Sequence, residues 1–249
     1  MSTDVRPAGE GHPGFATTRW SRVLLAGERG STGHERALEE LCGQYWLPLY
    51  AYARRRGYDA EDARDLTQAF YAKLLEKRDL SAADPARGRF RTFLLSSMKN
   101  FLASEWRKEH ALKRGGAVEV LSLDFESGEE SYRLEPSHEL SPEAIYDRRW
   151  ALGLLERAVN DLRGRYETAG QPELFDALKD YIGGGDDALP YSELARRFDQ
   201  TEGALRTAVS RLRGRWRERL RELVADTVEE DSEVHDELRR LVSFVDIGV

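Results

Sequence analysis

Apolar residues recur at three- and four-residue intervals along most of this chain, the spacing of helices with one buried face. Leu38, Leu41, Cys42 and Tyr45 keep it over 36–46. Pro48 lacks the amide proton that a helix interior needs, so a kink or restart is expected before Leu49–Arg56, with Gly57 as the stop. Asp59 is placed to cap a helix over 60–77 whose stripe is Ala63, Leu66, Phe70 and Leu74. A Pro-Ala-Arg-Gly loop follows. The most regular stripe in the chain, Phe90, Phe93, Leu94, Met98, Phe101 and Leu102, then predicts a helix from Phe90 to about His110.

Residues 115–141 hold no sustained period and read as a linker; the short alternation over Val118–Phe125 does not make a strand. Ser141-Pro142-Glu143 is a strong helix start: a capping hydroxyl, proline in the first turn and an acid at the positive dipole end. That helix runs on through Trp150, Leu154, Leu155, Val159 and Leu162. Another spans about Pro172 to Ile182 and stops at Gly183-Gly184-Gly185. Tyr191–Phe198 is a short helix with Leu194, Ala195 and Phe198 inward. After Asp199-Gln200-Thr201 a longer one begins at Glu202, with Thr201 as cap and Ala204, Leu205, Ala208, Val209 and Leu212 inward. No internal repeat is visible. The predicted fold is all-α, two helical domains joined by a polar tether.

Length agrees, since 249 residues suit one large or two small domains. No apolar run approaches the ~18 residues of a membrane span. The opening MSTDVRPAGEGHPGF lacks a signal-peptide core, so a cytoplasmic protein without membrane contact is expected. The single cysteine excludes an internal disulfide and a multi-cysteine metal site, and the histidines at 12, 34, 110, 138 and 235 never reach i,i+4 spacing. No metal and no cofactor is expected. The net charge of −7 hides strong blocks: 41–116 is net +6, 117–147 net −8, 190–221 net +5 and 222–249 net −7. Two basic modules around an acidic linker suit a polyanion ligand, the alternative being solvated faces alone.

Motif decides between them. Short helix, tight turn and Arg-rich helix make a helix-turn-helix over 191–221, with the second helix as reader. Its outward face carries Arg206, Thr207, Ser210, Arg211 and Arg213. Arg206 and Ser210 are i,i+4 on one strip that fits a major groove, and arginine suits guanine edges and phosphates. The helix at 90–110 turns out Ser96, Lys99, Asn100 and Arg107, with Thr92 and Ala103 between them and Trp106 at the border of the apolar stripe. That mixture suits a single strand, by phosphate pairing and base stacking. Glu61 and Asp65 are i,i+4, with Asp62 and Gln68 beside them; in isolation these acids could simply compensate a helix dipole.

With these motifs the chain resembles the sigma factors of bacterial RNA polymerase, of the extracytoplasmic-function (ECF) type. DAEDARDLTQAFYAKLLEK is similar to the region 2 helix that binds core polymerase. FRTFLLSSMKNFLASEWRK is similar to the helices that recognise and melt the −10 element, and YSELARRFDQTEGALRTAVSRLRGRWRERL to the region 4 reader of the −35 element. The resemblance covers about 35–225. It implies an N-terminal extension over 1–34, partly disordered, then a region 2-like domain over 35–114, an acidic linker over 115–141, a region 4-like domain over 142–228 and an acidic helical extension over 229–249. It implies no catalysis. Glu61, Asp62, Asp65 and Gln68 would dock on the β′ clamp helices, with the β subunit as a further contact. Arg87, Arg89 and Arg91 of the 85–91 loop, with Ser96, Lys99, Asn100, Trp106 and Arg107, would hold the unpaired −10 strand. Thr201, Arg206, Thr207, Ser210, Arg211, Arg213 and Arg215 would serve the −35 element. Many family members carry Asp four residues after this Asn, where Ser104 and then Glu105 stand here, which leaves the −10 preference open. Promoter DNA and core polymerase are the implied partners, with room for an anti-sigma factor or other regulator.

Two competitors give weaker accounts. A helix-turn-helix regulator acting without polymerase leaves the 61–68 surface without a role. A metal nuclease would need a second acidic cluster opposite Glu61, Asp62 and Asp65. The tail beyond 228 is an addition to the resemblance. Val234, Leu238, Leu241, Val242 and Val245 make one helix face, expected to lie on the protein's own helices while the acids of the tail compete with phosphate for the Arg-rich helix.

Overall fold

The computed structural model describes residues 34–76, 89–109, 124–133, 140–184, 188–228 and 230–245. The segment 1–33, the Pro-Ala-Arg-Gly loop, Arg87 and most of the Val118–Phe125 alternation lie outside them. Among the described residues there are nine α-helices and no strand, so the fold is all-α. They are α1 (His34–Arg55), α2 (Ala60–Glu76), α3 (Phe90–Glu109), α4 (Phe125–Arg133), α5 (Pro142–Thr168), α6 (Pro172–Leu178), α7 (Tyr191–Phe198), α8 (Glu202–Ala225) and α9 (Val234–Val245). None is long and apolar enough to cross a membrane.

The starts follow the capping chemistry of the sequence. The Asp59 carboxylate accepts from the Asp62 amide at 2.8 Å, Ser141 Oγ from the Ala144 amide at 3.1 Å and Thr201 Oγ1 from the Ala204 amide at 3.2 Å. At Pro48 the expected restart is corrected, because α1 runs unbroken from His34 to Arg55 with the proline inside it. Leu49, Tyr50, Ala51, Tyr52 and Ala53 are each at most 1% exposed, so this stretch is enclosed on every side. Burying a side chain such as Leu49 is worth about 1.5–3 kcal/mol, and several together outweigh the roughly 3 kcal/mol that an interior proline costs.

A second correction concerns the linker, which contains α4. Nothing periodic in FESGEESYR announces a helix; docking on α1 makes it one. Phe125 meets the Trp46 and Tyr50 rings edge-on, at 5.1 and 5.6 Å between centroids. Glu129 accepts from Tyr50 Oη at 2.5 Å and from Arg54 Nε and Nη2 at 3.0 Å each. Gly128 lies so close to Trp46 that a Cβ there would stand 2.4 Å from Cη2, so only glycine lets the helix approach. Asp124 caps it, its carboxylate accepting from the Ser127 amide at 3.1 Å.

Two apolar cores result. The first joins α1, α2 and α3 to the first half of α5 (Tyr146, Trp150, Leu154, Ala158), the end of α8 (Leu220, Leu223, Val224) and α9 (Val234, Leu241). The second joins Leu162 of α5, Phe175 and Leu178 of α6, Leu194 of α7 and Leu205, Val209 and Leu212 of α8. Both α5 and α8 therefore belong to both cores, and Trp216 touches each. The α9 stripe differs from expectation in two places. Val242 is 52% exposed, while Phe244 turns in against Trp150, 6.4 Å between ring centroids.

Candidate nucleic-acid interface

The α2 ridge is open. Ala63, Thr67, Phe70, Tyr71 and Leu74 turn inward, and the Thr67 hydroxyl is satisfied by donating to the Ala63 carbonyl at 2.7 Å. That leaves Glu61, Asp62 and Asp65 exposed and Gln68 half-buried on the outward side. Arg64 approaches Asp65 at 3.5 Å, with both side chains well exposed, an arrangement worth little in water. The result is an acidic strip on a helix whose far side is fixed in the first core.

On α3 the apolar stripe is buried as read, with Phe90, Leu94, Met98, Phe101 and Leu102 inward. Ser96, Lys99 and Asn100 are exposed and Trp106 is 57% exposed; the Arg107 side chain lies outside the described residues. A cavity of about 200 Å³ opens between α2 and α3, lined by Phe70, Lys73, Leu74, Ser97, Asn100 and Phe101. The Lys73 ammonium sits 5.0 Å from the Phe101 ring centroid. An apolar floor with an amide, a hydroxyl and a cation at its rim suits a planar polar ring.

Three described cations beside this face, Arg89, Arg91 and Lys99, each face an acid from the second half of the chain. Lys99 Nζ is 2.8 Å from Glu143, and that hydrogen bond holds the Glu143 carboxyl below its ordinary range. Arg91, expected on the DNA face, is only 7% exposed. Its Nη1 meets Asp147 at 2.6 Å and its Nε meets Glu237 at 3.0 Å. The guanidinium lies over Trp150 and Phe244, at 4.6 and 5.2 Å from the ring centroids. Tyr146 Oη donates to the Arg91 carbonyl at 2.9 Å. Arg89 Nε is 2.9 Å from the other Glu237 oxygen, close but not aligned as a hydrogen bond. Burial lowers the Arg89 pKa, and burial outweighs Arg91 to push the Asp147 carboxyl up. Sequence reasoning missed Glu143, Asp147 and Glu237. One signal was present: Glu237 falls on the Val234–Leu241 face, an acid inside an apolar stripe.

The short α7 ends at Asp199, whose φ of 49° is the left-handed turn that redirects the chain, and the Gln200 amide donates back to the Ala195 carbonyl at 3.1 Å. From there α8 buries Leu205, Val209 and Leu212 and exposes Arg206, Thr207, Ser210, Arg211 and Arg215. Ala204 of the expected stripe is exposed. Arg206 is held over the Tyr191 ring at 4.3 Å and approaches Glu202 at 3.4 Å. Thr207 donates to the Gly203 carbonyl at 2.9 Å. Arg213 differs from the rest: half-buried, it donates from Nε to the Tyr181 carbonyl at 2.8 Å and so braces α8 against the turn after α6. The tail is corrected too, since the partners of Glu237 are Arg89 and Arg91 rather than arginines of α8.

Comparison with known families matches residues 43–111 to Sigma-70 region 2. No curated protein and no solved structure matches the chain. The match takes in α2 and α3 whole, and with them the acidic ridge, the cavity and the polar face. Residues 43–111 are thus similar to sigma-70 region 2, a likeness that supports a sigma-factor role in transcription initiation, with core RNA polymerase and promoter DNA as the partners such a role implies.

Proposed function

We propose that the chain is a promoter-specificity subunit of the ECF type, acting in the cytoplasm and doing no chemistry of its own. The observation that carries this reading is the coexistence, on one region 2 domain, of an open acidic ridge on α2 and a separate polar face with a cavity on α3. Glu61, Asp62, Asp65 and Gln68 dock on the β′ clamp helices. Ser96, Lys99, Asn100 and Trp106, joined by Arg87, Arg89, Arg91 and Arg107, hold the unpaired −10 strand, and the cavity receives a base turned out of the stack. Unstacking costs a few kcal/mol per step, which such a pocket and phosphate contacts repay. The α7–turn–α8 unit is the helix-turn-helix reader of the −35 element. Arg206 and Ser210 face base edges, Thr201 sits at the helix start, and Thr207, Arg211 and Arg215 attract phosphates. Arg213 serves mainly to fix the reader's angle, given its bond to Tyr181.

Run-off transcription with purified core polymerase on promoters selected from genomic fragments tests the role directly. Initiation from discrete sites is expected, and the Glu61→Lys/Asp65→Lys protein should lose core co-purification while keeping its helicity. Wild-type assembly by that double variant would overturn the docking assignment.

A further inference from the structure

The two promoter boxes named above lie about 25 base pairs apart, roughly 85 Å at 3.4 Å per pair. The structure holds the two readers much closer. The 24 residues of α8 make a helix about 36 Å long, and its far end, Leu220 to Val224, is part of the first core. Adding three helix widths of about 10 Å for α1, α2 and α3 still leaves the readers short of both boxes. This is therefore a closed form of the subunit. Its closure is selective, for the α2 ridge and the outward face of α8 stay exposed, while Arg89, Arg91 and Lys99 are all taken up by acids.

We propose that α9 is a latch that keeps the free subunit from single-stranded DNA, with Glu237 standing where a backbone phosphate of the −10 strand would stand. The inference rests on the −10 role proposed for Arg89 and Arg91. A carboxylate seated between two guanidiniums reproduces the charge and acceptor pattern of a phosphate. Glu237 is fully buried, and the cations that meet its two oxygens are those two arginines. Its contact with Arg89 lacks hydrogen-bond alignment, which makes a partner with better-placed oxygens a competitive replacement. The rest of the α9 interface is small: Val234 and Leu241 buried, Leu238, Phe244 and Val245 partly so, and Arg148 donating to the Val245 carbonyl at 2.6 Å. Once α9 lifts, Arg89 loses Glu237, and Arg91 keeps only Asp147 and Trp150 of α5.

The test uses the full chain and a short fluorescein-labelled single strand of mixed sequence, read by anisotropy across a salt series. Glu237→Gln keeps the shape and removes the charge. It should tighten binding about tenfold at low salt and steepen the salt slope by about 0.7, for the one phosphate contact recovered. Asp236→Asn makes the same change in net charge on the exposed side of α9, where Asp236 meets Arg239 at 2.6 Å, and should alter neither quantity. Equal gains from both variants would reduce the effect to net charge, and no gain from Glu237→Gln would overturn the latch. If Glu237→Gln loses helicity, hydrogen exchange on the wild-type chain decides instead. Amides of α9 should lose protection when the oligonucleotide binds, and unchanged protection overturns the proposal. Run-off transcription separates this from the reading beneath it. If neither wild type nor Glu237→Gln initiates with core polymerase, the sigma-factor reading fails. If both initiate yet bind the free oligonucleotide equally, the latch alone fails.

Discussion

Replacing Glu129 by Ala should undock the linker helix α4 from α1. The carboxylate accepts three hydrogen bonds from α1, one from Tyr50 Oη at 2.5 Å and two from Arg54 at 3.0 Å, besides one from Arg133 of its own helix at 3.2 Å. Tyr50 is 1% exposed and the Glu129 side chain 13%, so little water is at hand to replace them. Bonds to a charged group are worth about 1.5–3 kcal/mol each, but three on one carboxylate do not add fully. Arg54 keeps its bond to the Tyr58 carbonyl at 2.8 Å and is 20% exposed, which softens its loss. A net cost of about 2–4 kcal/mol follows, capped by the free energy with which α4 docks. Native-state hydrogen exchange reads it best, because undocking is a local event. Amides of 125–133 should exchange between about 30 and 700 times faster, at about 1.4 kcal/mol per tenfold, while those of α2 and α3 change little. Acceleration below about fivefold would refute the reasoning, showing that Phe125 and its ring contacts hold the helix without the carboxylate.

Four further outcomes are expected. Gly128→Ala should also speed exchange in α4 although alanine is the better helix former, because its Cβ would stand 2.4 Å from Trp46 Cη2 and overpacking costs about 1–3 kcal/mol. Burial raises the Glu129 carboxyl, yet bonds from Arg54 and Tyr50 outweigh it, and the folded pKa lies below the ordinary 4.5. The docking it stabilises is thus fully present above that value and fades as pH falls through the lower folded one, which exchange in α4 measured between neutral and acid pH will show. Burial pushes the Cys42 thiol up to about 12, so iodoacetamide should label it only as fast as the protein unfolds; prompt labelling followed by mass spectrometry would contradict its place in the core. Arg206→Ala should relax base preference at one −35 position by about 1–3 kcal/mol, whereas Arg211→Ala should weaken all sequences alike; binding-site selection returning an unchanged motif for Arg206→Ala would remove its reading role.

What was legible in the sequence was what depends on near neighbours. Asp59, Ser141 and Thr201 each cap the helix that their short side chains announce, and the stripes of α3 and α8 are buried nearly as their periodicity reads. The misreadings share one cause, contacts made across large separations in the chain. An unbroken α1 at Pro48 requires neighbours on every side of the helix, which no local window contains. The helix in the linker needs Glu129 to find Tyr50, 79 residues away. Arg91 has the composition of a DNA contact, and Asp147 and Glu237, 56 and 146 residues on, account for its burial. The exposure of the acidic ridge and of the outward face of α8 was legible because it follows from the helix period alone.

Two helices, α5 and α8, each contribute to both apolar cores, with Trp216 touching the two. Domains on a flexible tether melt independently, since neither loses contacts when the other unfolds. Here, fraying either core strips half of the same two helices of their packing, and a helix half without tertiary support is marginal in water. The closed chain should therefore behave as one cooperative unit, with a single calorimetric transition whose van't Hoff and calorimetric enthalpies agree. Gly214 lies in α8 between Leu212 of the second core and Leu220 of the first, an interior glycine with nothing within 4 Å of a Cβ built there. It is the weakest link in a shared strut, and cooperativity between the halves ends wherever that strut bends.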